Sequence, residues 1–439
     1  MAEDSQHNCC SISTEHRSGV GISIREGGSR HVFRKECDFT QLHAAVSAKN
    51  VERLKSLLLA GADLQLRDKK GYTALHVAIL SWGHHLRNWP KPHPGILATP
   101  NDVLARAELC LRTLCDHGIK INATLGDSSG QAALHLAVCY KVLPAVPILA
   151  SYGADLNAED SVGMTPLHLA SSTLQKDIVS SLIRLGADVN ALAALIQIIR
   201  RTGNTPLHLA TVAAAIQHNK APETRLGCIS ELVEHGADTE VVNWADRTPL
   251  QEACACGEEE PVDALLTHGA DINRRTEAGE GCLFLFLDRQ RDVRRSLLSK
   301  LICLTSQPLA LHDRHGRLPV VLTGPRYAVQ RERLLALSRQ PRSLKEMCRN
   351  HVYLSQARSR RELRDVLPEA IFDYVFNCWD SAVDVSFVFE DDGKCLGSAL
   401  STLESGLLSC PLEPVRSLSR AELSQASAGQ AAALAATAF

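Results

Sequence analysis

Aromatic side chains are scarce in this chain: Phe, Trp and Tyr make up 4% of its 439 residues, against a hydrophobic fraction of 45%. The apolar mass is therefore mainly Leu, Ala, Val and Ile, which suits close-packed helices. Neither sign of charge dominates, since 47 Lys and Arg stand against 49 Asp and Glu for a formal charge of -2. Bulk electrostatics thus point to neither nucleic acid nor an anionic membrane, and no partner of either kind is expected. The 15 cysteines include no CxxC pair, so structural zinc has no motif here. In a reducing compartment they are expected as buried small hydrophobes, Cys9-Cys10 and Cys254-Ala-Cys256 included. No apolar segment follows Met1-Ala2-Glu3-Asp4-Ser5, and no stretch approaches the roughly 20 apolar residues of a membrane span. A soluble intracellular protein, cytoplasmic or nuclear, is the expectation. A phosphate-cradling Gly loop and a nucleophile elbow are also lacking, so neither an enzyme nor a cofactor is expected.

A chain of this length is too long for one small core, which leaves several domains or growth by repetition. One phrase recurs: Thr73-Ala-Leu-His76, Ala132-Ala-Leu-His135, Thr165-Pro-Leu-His168, Thr205-Pro-Leu-His208 and Thr248-Pro-Leu-Gln251. A degenerate copy, Thr40-Gln-Leu-His43, precedes Thr73 by 33 residues, and the steps from Ala132 to Thr165 and from Thr248 to Gly281 are also 33. In phase with it runs Gly-Ala-Asp, beginning at Gly61, Gly153, Gly186, Gly236 and Gly269. Thr is a good helix N-cap, and a following Pro has a preset φ and lacks a donor that a first turn cannot use. The second helix of each unit carries apolar residues at helical spacing, such as Ile178, Val179, Leu182 and Ile183, and a Gly then supplies a left-handed stop. A later turn Gly (Gly71, Gly130, Gly163, Gly203, Gly279, Gly316) suits a projecting hairpin before the next cap. Each unit alone leaves an apolar face bare, so stability requires stacking.

A 33-residue period carrying both phrases resembles the ankyrin repeat. The resemblance implies an all-α ankyrin-repeat solenoid of paired antiparallel helices with projecting β-hairpin turns, followed by a small C-terminal helical segment. Units are expected to begin near Thr40, Thr73, Ala132, Thr165, Thr205, Thr248 and Gly281, with a capping remnant near Leu318. The organisation expected is a poorly ordered segment over 1–35, repeats over 36–325, a helical segment over 326–380 and a low-complexity tail over 381–439. The repeated His is read as bonding within and between turns, not as a metal ligand, because successive copies sit on different repeats.

Three units are enlarged. The 59-residue step from Thr73 to Ala132 adds about 26 residues between two helices, around His84-His-Leu-Arg-Asn-Trp-Pro-Lys-Pro-His-Pro94. Its Pro content predicts a surface loop, with Trp82 and Trp89 either forming a contact surface or folding back onto the stack. His84, His85 and His93 have no Cys or acidic partner close by, so no metal is expected there. After Gly186 the hairpin gains an apolar finger, Ala191 to Ile199, read as a binding element or a solubility hazard. A plain loop is predicted at Gln217 to Pro222.

In the ankyrin architecture the hairpin tips and first helices line a concave side where protein partners dock. The second residue before each turn Gly gives the candidate row Lys69, Ser128, Ser161, Arg201, Trp244, Glu277 and Arg314. Trp244 is the first choice for a hot spot, the alternative being that it packs on a neighbouring hairpin. Asp246 replaces the turn Gly in that unit, and Asp is among the few other residues that tolerate the left-handed region.

Beyond about residue 326 the phrases stop. Arg326 to Arg364 holds eleven Lys and Arg and three Glu, read as helical surface charge rather than a nucleic-acid patch. Within it lie Ser343-Leu344-Lys-Glu-Met-Cys348-Arg-Asn-His-Val352 and then Leu367-Pro368-Glu-Ala-Ile371-Phe-Asp-Tyr374-Val375. Leu344, Cys348 and Val352 recur every four residues and make one apolar stripe on a helix. The segment resembles the SOCS box that ends many ankyrin proteins. By that resemblance Leu344, Cys348 and Val352 match elongin-contacting positions, and Leu367, Pro368, Ile371 and Tyr374 match the cullin-contacting part. The implied partners are elongin B/C and a cullin. Asp365-Val366 stands where the family has a first Leu-Pro pair, and some 60 residues follow a box that in the family tends to end the chain. The alternative is that these residues cap the open end of the solenoid.

Overall fold

A computed structural model describes residues 35–87, 100–193, 203–217, 219–289, 293–306, 309, 311–356, 363–365 and 367–377. Expectations for the N-terminal 34 residues, for Trp89 and His93, for most of the 191–199 finger and for the tail lie outside them.

Seven helix pairs follow one another: α1 (Lys35–Ser47) with α2 (Val51–Leu59), α3 (Ala74–Arg87) with α4 (Pro100–Asp116), and α5 (Ala133–Cys139) with α6 (Ala145–Ser151). Then come α7 (Pro166–Ser172) with α8 (Lys176–Leu185), α9 (Pro206–Ile216) with α10 (Pro222–Glu234), α11 (Pro249–Cys256) with α12 (Glu259–Thr267), and α13 (Cys282–Arg289) with α14 (Arg295–Leu304). A short α15 (Val320–Thr323), α16 (Ala328–Arg339), α17 (Leu344–Gln356) and α18 (Glu369–Phe376) complete the described chain. First helices pack on first helices along the stack (α1 on α3, α3 on α5, up to α13 on α15), and second helices on second helices (α2 on α4 through α10 on α12). This is an all-α ankyrin-repeat solenoid with one continuous apolar core running from Leu42 to Phe376.

The recurring phrase works as local chemistry. At Thr165, Thr205 and Thr248 the Thr hydroxyl accepts the N–H of the residue three on, at 3.3 to 3.4 Å, and Pro occupies the first helical turn. The His at that third position accepts the Thr backbone N–H on Nδ1, at 3.1 to 3.2 Å, so its proton sits on Nε2. Nε2 then donates across to the next unit: His76 to the carbonyl of Ala123, His135 to Met164, His168 to Asn204 and His208 to Arg247, at 2.9 to 3.0 Å. Ala132 has no hydroxyl, yet its N–H still reaches Nδ1 of His135 at 3.2 Å. Burial pushes these imidazoles well below their ordinary value, to about 4 for His76, His168 and His208.

The projecting turns are held by side chains. Asp68, Asp160, Asn243 and Asp313 each accept two backbone N–H groups at 2.8 to 3.1 Å on one oxygen, closing the loop around the turn residue. A ladder of Asn122, Asn157, Asn190 and Glu240 accepts the N–H of Asp155, Asp188, Asp238 and Asp271 in the following unit, each at 2.9 Å. Among the described residues the hairpins form no strand; one antiparallel bridge joins Thr124 and Ala132.

One expectation is corrected. The surface loop predicted around 84–94 begins as helix: α3 continues to Arg87 over 14 residues, and α4 has 17. The extension follows Trp82, which is buried at 1% exposure and locks the extra turn onto the core. Trp82 is therefore core and not contact surface. The fifth unit is enlarged in the same way, with 11 residues in α9 and 13 in α10.

Candidate partner-binding surfaces

The hairpin row is positioned by backbone bonds between neighbouring tips. Ser161 N–H donates to the carbonyl of Ser129 at 2.9 Å, and Arg314 N–H to that of Ala278 at 2.7 Å. With the main chain turned to the neighbouring tip, the side chains of Lys69, Ser128, Ser161, Glu277 and Arg314 are left exposed. Arg201 lies outside the described residues.

Trp244 has a distinct setting. Asp246 adopts φ 56°, so the tip keeps the left-handed turn without Gly. The Asp246 carboxylate also accepts the N–H of Glu277, taking the part that a backbone carbonyl plays at the neighbouring tips. The indole lies against Gly203 of the preceding hairpin, where an added Cβ would fall 2.3 Å from Cδ1. The ring is thus both packed on a neighbour and 46% exposed. A rigid aromatic with half its surface open is pre-organised to bury against a partner.

Below this tip runs a polar floor. Asn243 donates to Asn204 Oδ1 at 3.0 Å and to Glu252 Oε1 at 3.2 Å, Arg247 lies 3.8 Å from Glu252 and 3.7 Å from Glu280, and Arg317 pairs with Glu280 at 2.9 Å. Arg317 also sits 5.3 Å over the ring of Phe284. In four successive units the residue after the turn residue supplies this ladder (Asn204, Arg247, Glu280, Arg317), a row that reading the tips alone misses although its period is visible in the sequence.

At the C-terminus α17 divides into two faces. Arg349, Asn350 and Tyr353 are buried, and Tyr353 Oη donates to Asp263 of α12 at 3.0 Å. Leu344 is 72% exposed and Met347 49%, with Cys348 also exposed and Val352 half-buried. Met347 adds to the outward stripe but does not fall on the four-residue spacing that picked out the others. In α18 the rings of Phe372 and Phe376 lie 4.9 Å apart at a tilt of 36°, and Phe376 meets Tyr353 at 5.8 Å. Pro368 and Ile371 are exposed, Leu367 is half-buried, and Tyr374 is half-buried under the Arg349 guanidinium at 4.8 Å.

Among the described residues no group of His, Cys, Asp and Glu has the geometry of a metal site, and no helix is long and apolar enough to cross a membrane. Nine cysteines between Cys110 and Cys348 are free, and among these nine Cys348 is the exposed one. Burial drives the thiols of Cys115, Cys228 and Cys256 up to about 12, which keeps them unreactive.

Family models of ankyrin repeats match residues 42–87, 162–193 and 196–276. The chain is 36% identical over 128 residues to NF-kappa-B inhibitor alpha of Sus scrofa, covering 29% of this chain and 34% of that protein. It is 33% identical over 175 residues to human ankyrin repeat and SOCS box protein 16, covering 40% of this chain and 27% of that one. The NF-kappa-B p105 subunit of Gallus gallus is 32% identical over 139 residues, 29% of this chain and 14% of its own length. The chain thus spans about a third or less of these curated relatives. Among solved structures, the ankyrin repeat domain of human ASB11 matches at TM-score 0.42 and 21% identity over 60% of this chain and 96% of its own. That of Bcl-3 matches at 0.44 and 23% over 56% and 92%. With the repeat phrases, the stacked helix pairs and the family matches in agreement, the chain carries ankyrin repeats over these residues.

Proposed function

We propose that this protein is a non-enzymatic scaffold that holds a protein partner on its hairpin row and recruits elongin B/C and a cullin through its C-terminal helices. It would thereby act as the substrate-recognition subunit of a ubiquitin ligase. The observation that carries the second half is the division of α17, where Leu344, Met347 and Cys348 face outward while Arg349, Asn350 and Tyr353 face the solenoid. An apolar stripe of this kind on a docked helix is the arrangement a helix-in-groove partner requires. Similarity to human ankyrin repeat and SOCS box protein 16 supports the same reading. Trp244 is the proposed anchor for the other partner, flanked by Glu277 and, further along the row, Arg314. Co-purification tests the ligase role: the wild type retains elongins B and C, and Leu344→Asp releases them. Failure of the wild type to retain them, or unaltered retention by Leu344→Asp, removes the ligase role and leaves the scaffold.

The second reading is a scaffold whose C-terminal segment only caps the stack. The bond from Tyr353 to Asp263 favours it, since it ties α17 to α12. Under that reading, deleting residues 340–380 lowers thermal stability and costs no partner.

A further inference from the structure

The four C-terminal carbonyls of an α-helix have no partner within the helix and must be satisfied from outside. At the end of α14 the acceptors come from Ile302, Cys303 and Thr305, the last lying just past the helix. The Arg342 guanidinium covers all three, donating to the Ile302 carbonyl at 2.5 Å and also to those of Cys303 and Thr305. Asn350, two turns into α17, donates to the Cys303 carbonyl as well. A cation at this position also meets the negative end of the α14 dipole. The planar fork of Arg can serve several acceptors at once, which a Lys ammonium on a flexible stem cannot do with fixed direction.

One residue, the N-cap Ser343, separates Arg342 from Leu344. Ser343 closes a capping box with Glu346, its N–H donating at 3.0 Å and its hydroxyl accepting the Glu346 N–H at 3.3 Å. The anchor on α14 and the first residue of the outward stripe are therefore joined by a segment with no slack. Tyr353 holds the other end of α17, more than two turns away, through Asp263, which also receives the buried Lys300 at 2.8 Å.

We propose that Arg342 is a positioning residue: it fixes the direction in which Leu344, Met347 and Cys348 point relative to the hairpin row, and so the geometry between the two docking faces. This rests on the stripe being a docking face, but the clamp is testable without that. In the full chain, with its other reactive cysteines replaced by Ser, spin labels on Cys348 and at Arg314→Cys report the distance between stripe and row. Arg342 intact gives one narrow distribution. Arg342→Ala broadens it, Arg342→Lys falls between, and hydrogen exchange in 344–350 rises about tenfold, the scale of losing charge-assisted hydrogen bonds. Purified elongin B/C, added to the same proteins before labelling, is retained by both variants because the stripe is then untouched. An unbroadened distribution and unchanged exchange in Arg342→Ala overturn the clamp, whereas absent elongin retention by every sample overturns only the docking reading.

Discussion

Acid should unlock this stack through its histidines. His76, His168 and His208 titrate near 4 in the folded chain because burial penalises the imidazolium, against an ordinary value of 6.5. Between those values the unfolded chain binds protons that the folded chain refuses. Stability is therefore complete above pH 6.5, falls as pH drops through the window, and loses nothing more from these groups below about 4. From pH 7 to pH 5 each ring costs on the order of 2 kcal/mol, so three cost about 6, comparable with the whole stability of an ordinary domain. The chain already contains a replacement that does not titrate. Gln251 occupies the same place, accepting the Thr248 N–H on Oε1 at 2.9 Å and donating from Nε2 to the Arg274 carbonyl at 3.0 Å. Urea unfolding of the wild type and of the His168→Gln, His208→Gln double variant at pH 7.5 and pH 5 tests the reasoning. The variant should match the wild type within about 1 kcal/mol at pH 7.5 and keep about 4 kcal/mol more of its stability at pH 5. Parallel loss in both proteins would refute the claim that these rings carry the acid response.

Trp244→Ala should abolish capture of the hairpin partner in a pull-down while leaving the elongin-dependent complex intact; undiminished capture removes Trp244 as the anchor. Gly203→Ala should destabilise more than Gly236→Ala, although both residues have positive φ, because only at Gly203 would the new Cβ strike the indole. The shared backbone strain is about 1–2 kcal/mol, and equal urea midpoints for the two variants would contradict the packing of Trp244. Alkylation of the native chain followed by peptide mass analysis should modify Cys348 well before Cys115, Cys228 or Cys256, and simultaneous labelling of these four would show that the repeats are not closed around the buried thiols.

The repeating part of the fold is legible because its signals are local. Thr165, Pro166 and His168 cap, start and bridge within four residues, and Gly186 ends the pair at φ 101°. The Asp or Asn three places before the turn residue, as at Asp68 and Asn243, is equally periodic and marks which loops close on themselves. The enlarged second unit is not legible in the same way. Pro90, Pro92 and Pro94 advertise a loop, whereas the helix ahead of them carries one ring, Trp82, that is buried in the core. Trp244 meets Gly203 across two hairpins, and Arg342 meets the end of α14 from some 40 residues away. Neither contact leaves a local pattern, so the row and the stripe are visible as candidates in the sequence while their orientation is set by tertiary packing.

Proximity labelling in cells, comparing the wild type with Trp244→Ala and with a Leu344→Asp, Cys348→Asp double variant, tests most directly that this is a scaffold with two separate protein-binding faces. The account predicts that Trp244→Ala loses one set of neighbours and keeps elongins and cullin, and that the double variant does the reverse. Identical neighbour sets for all three proteins would contradict it.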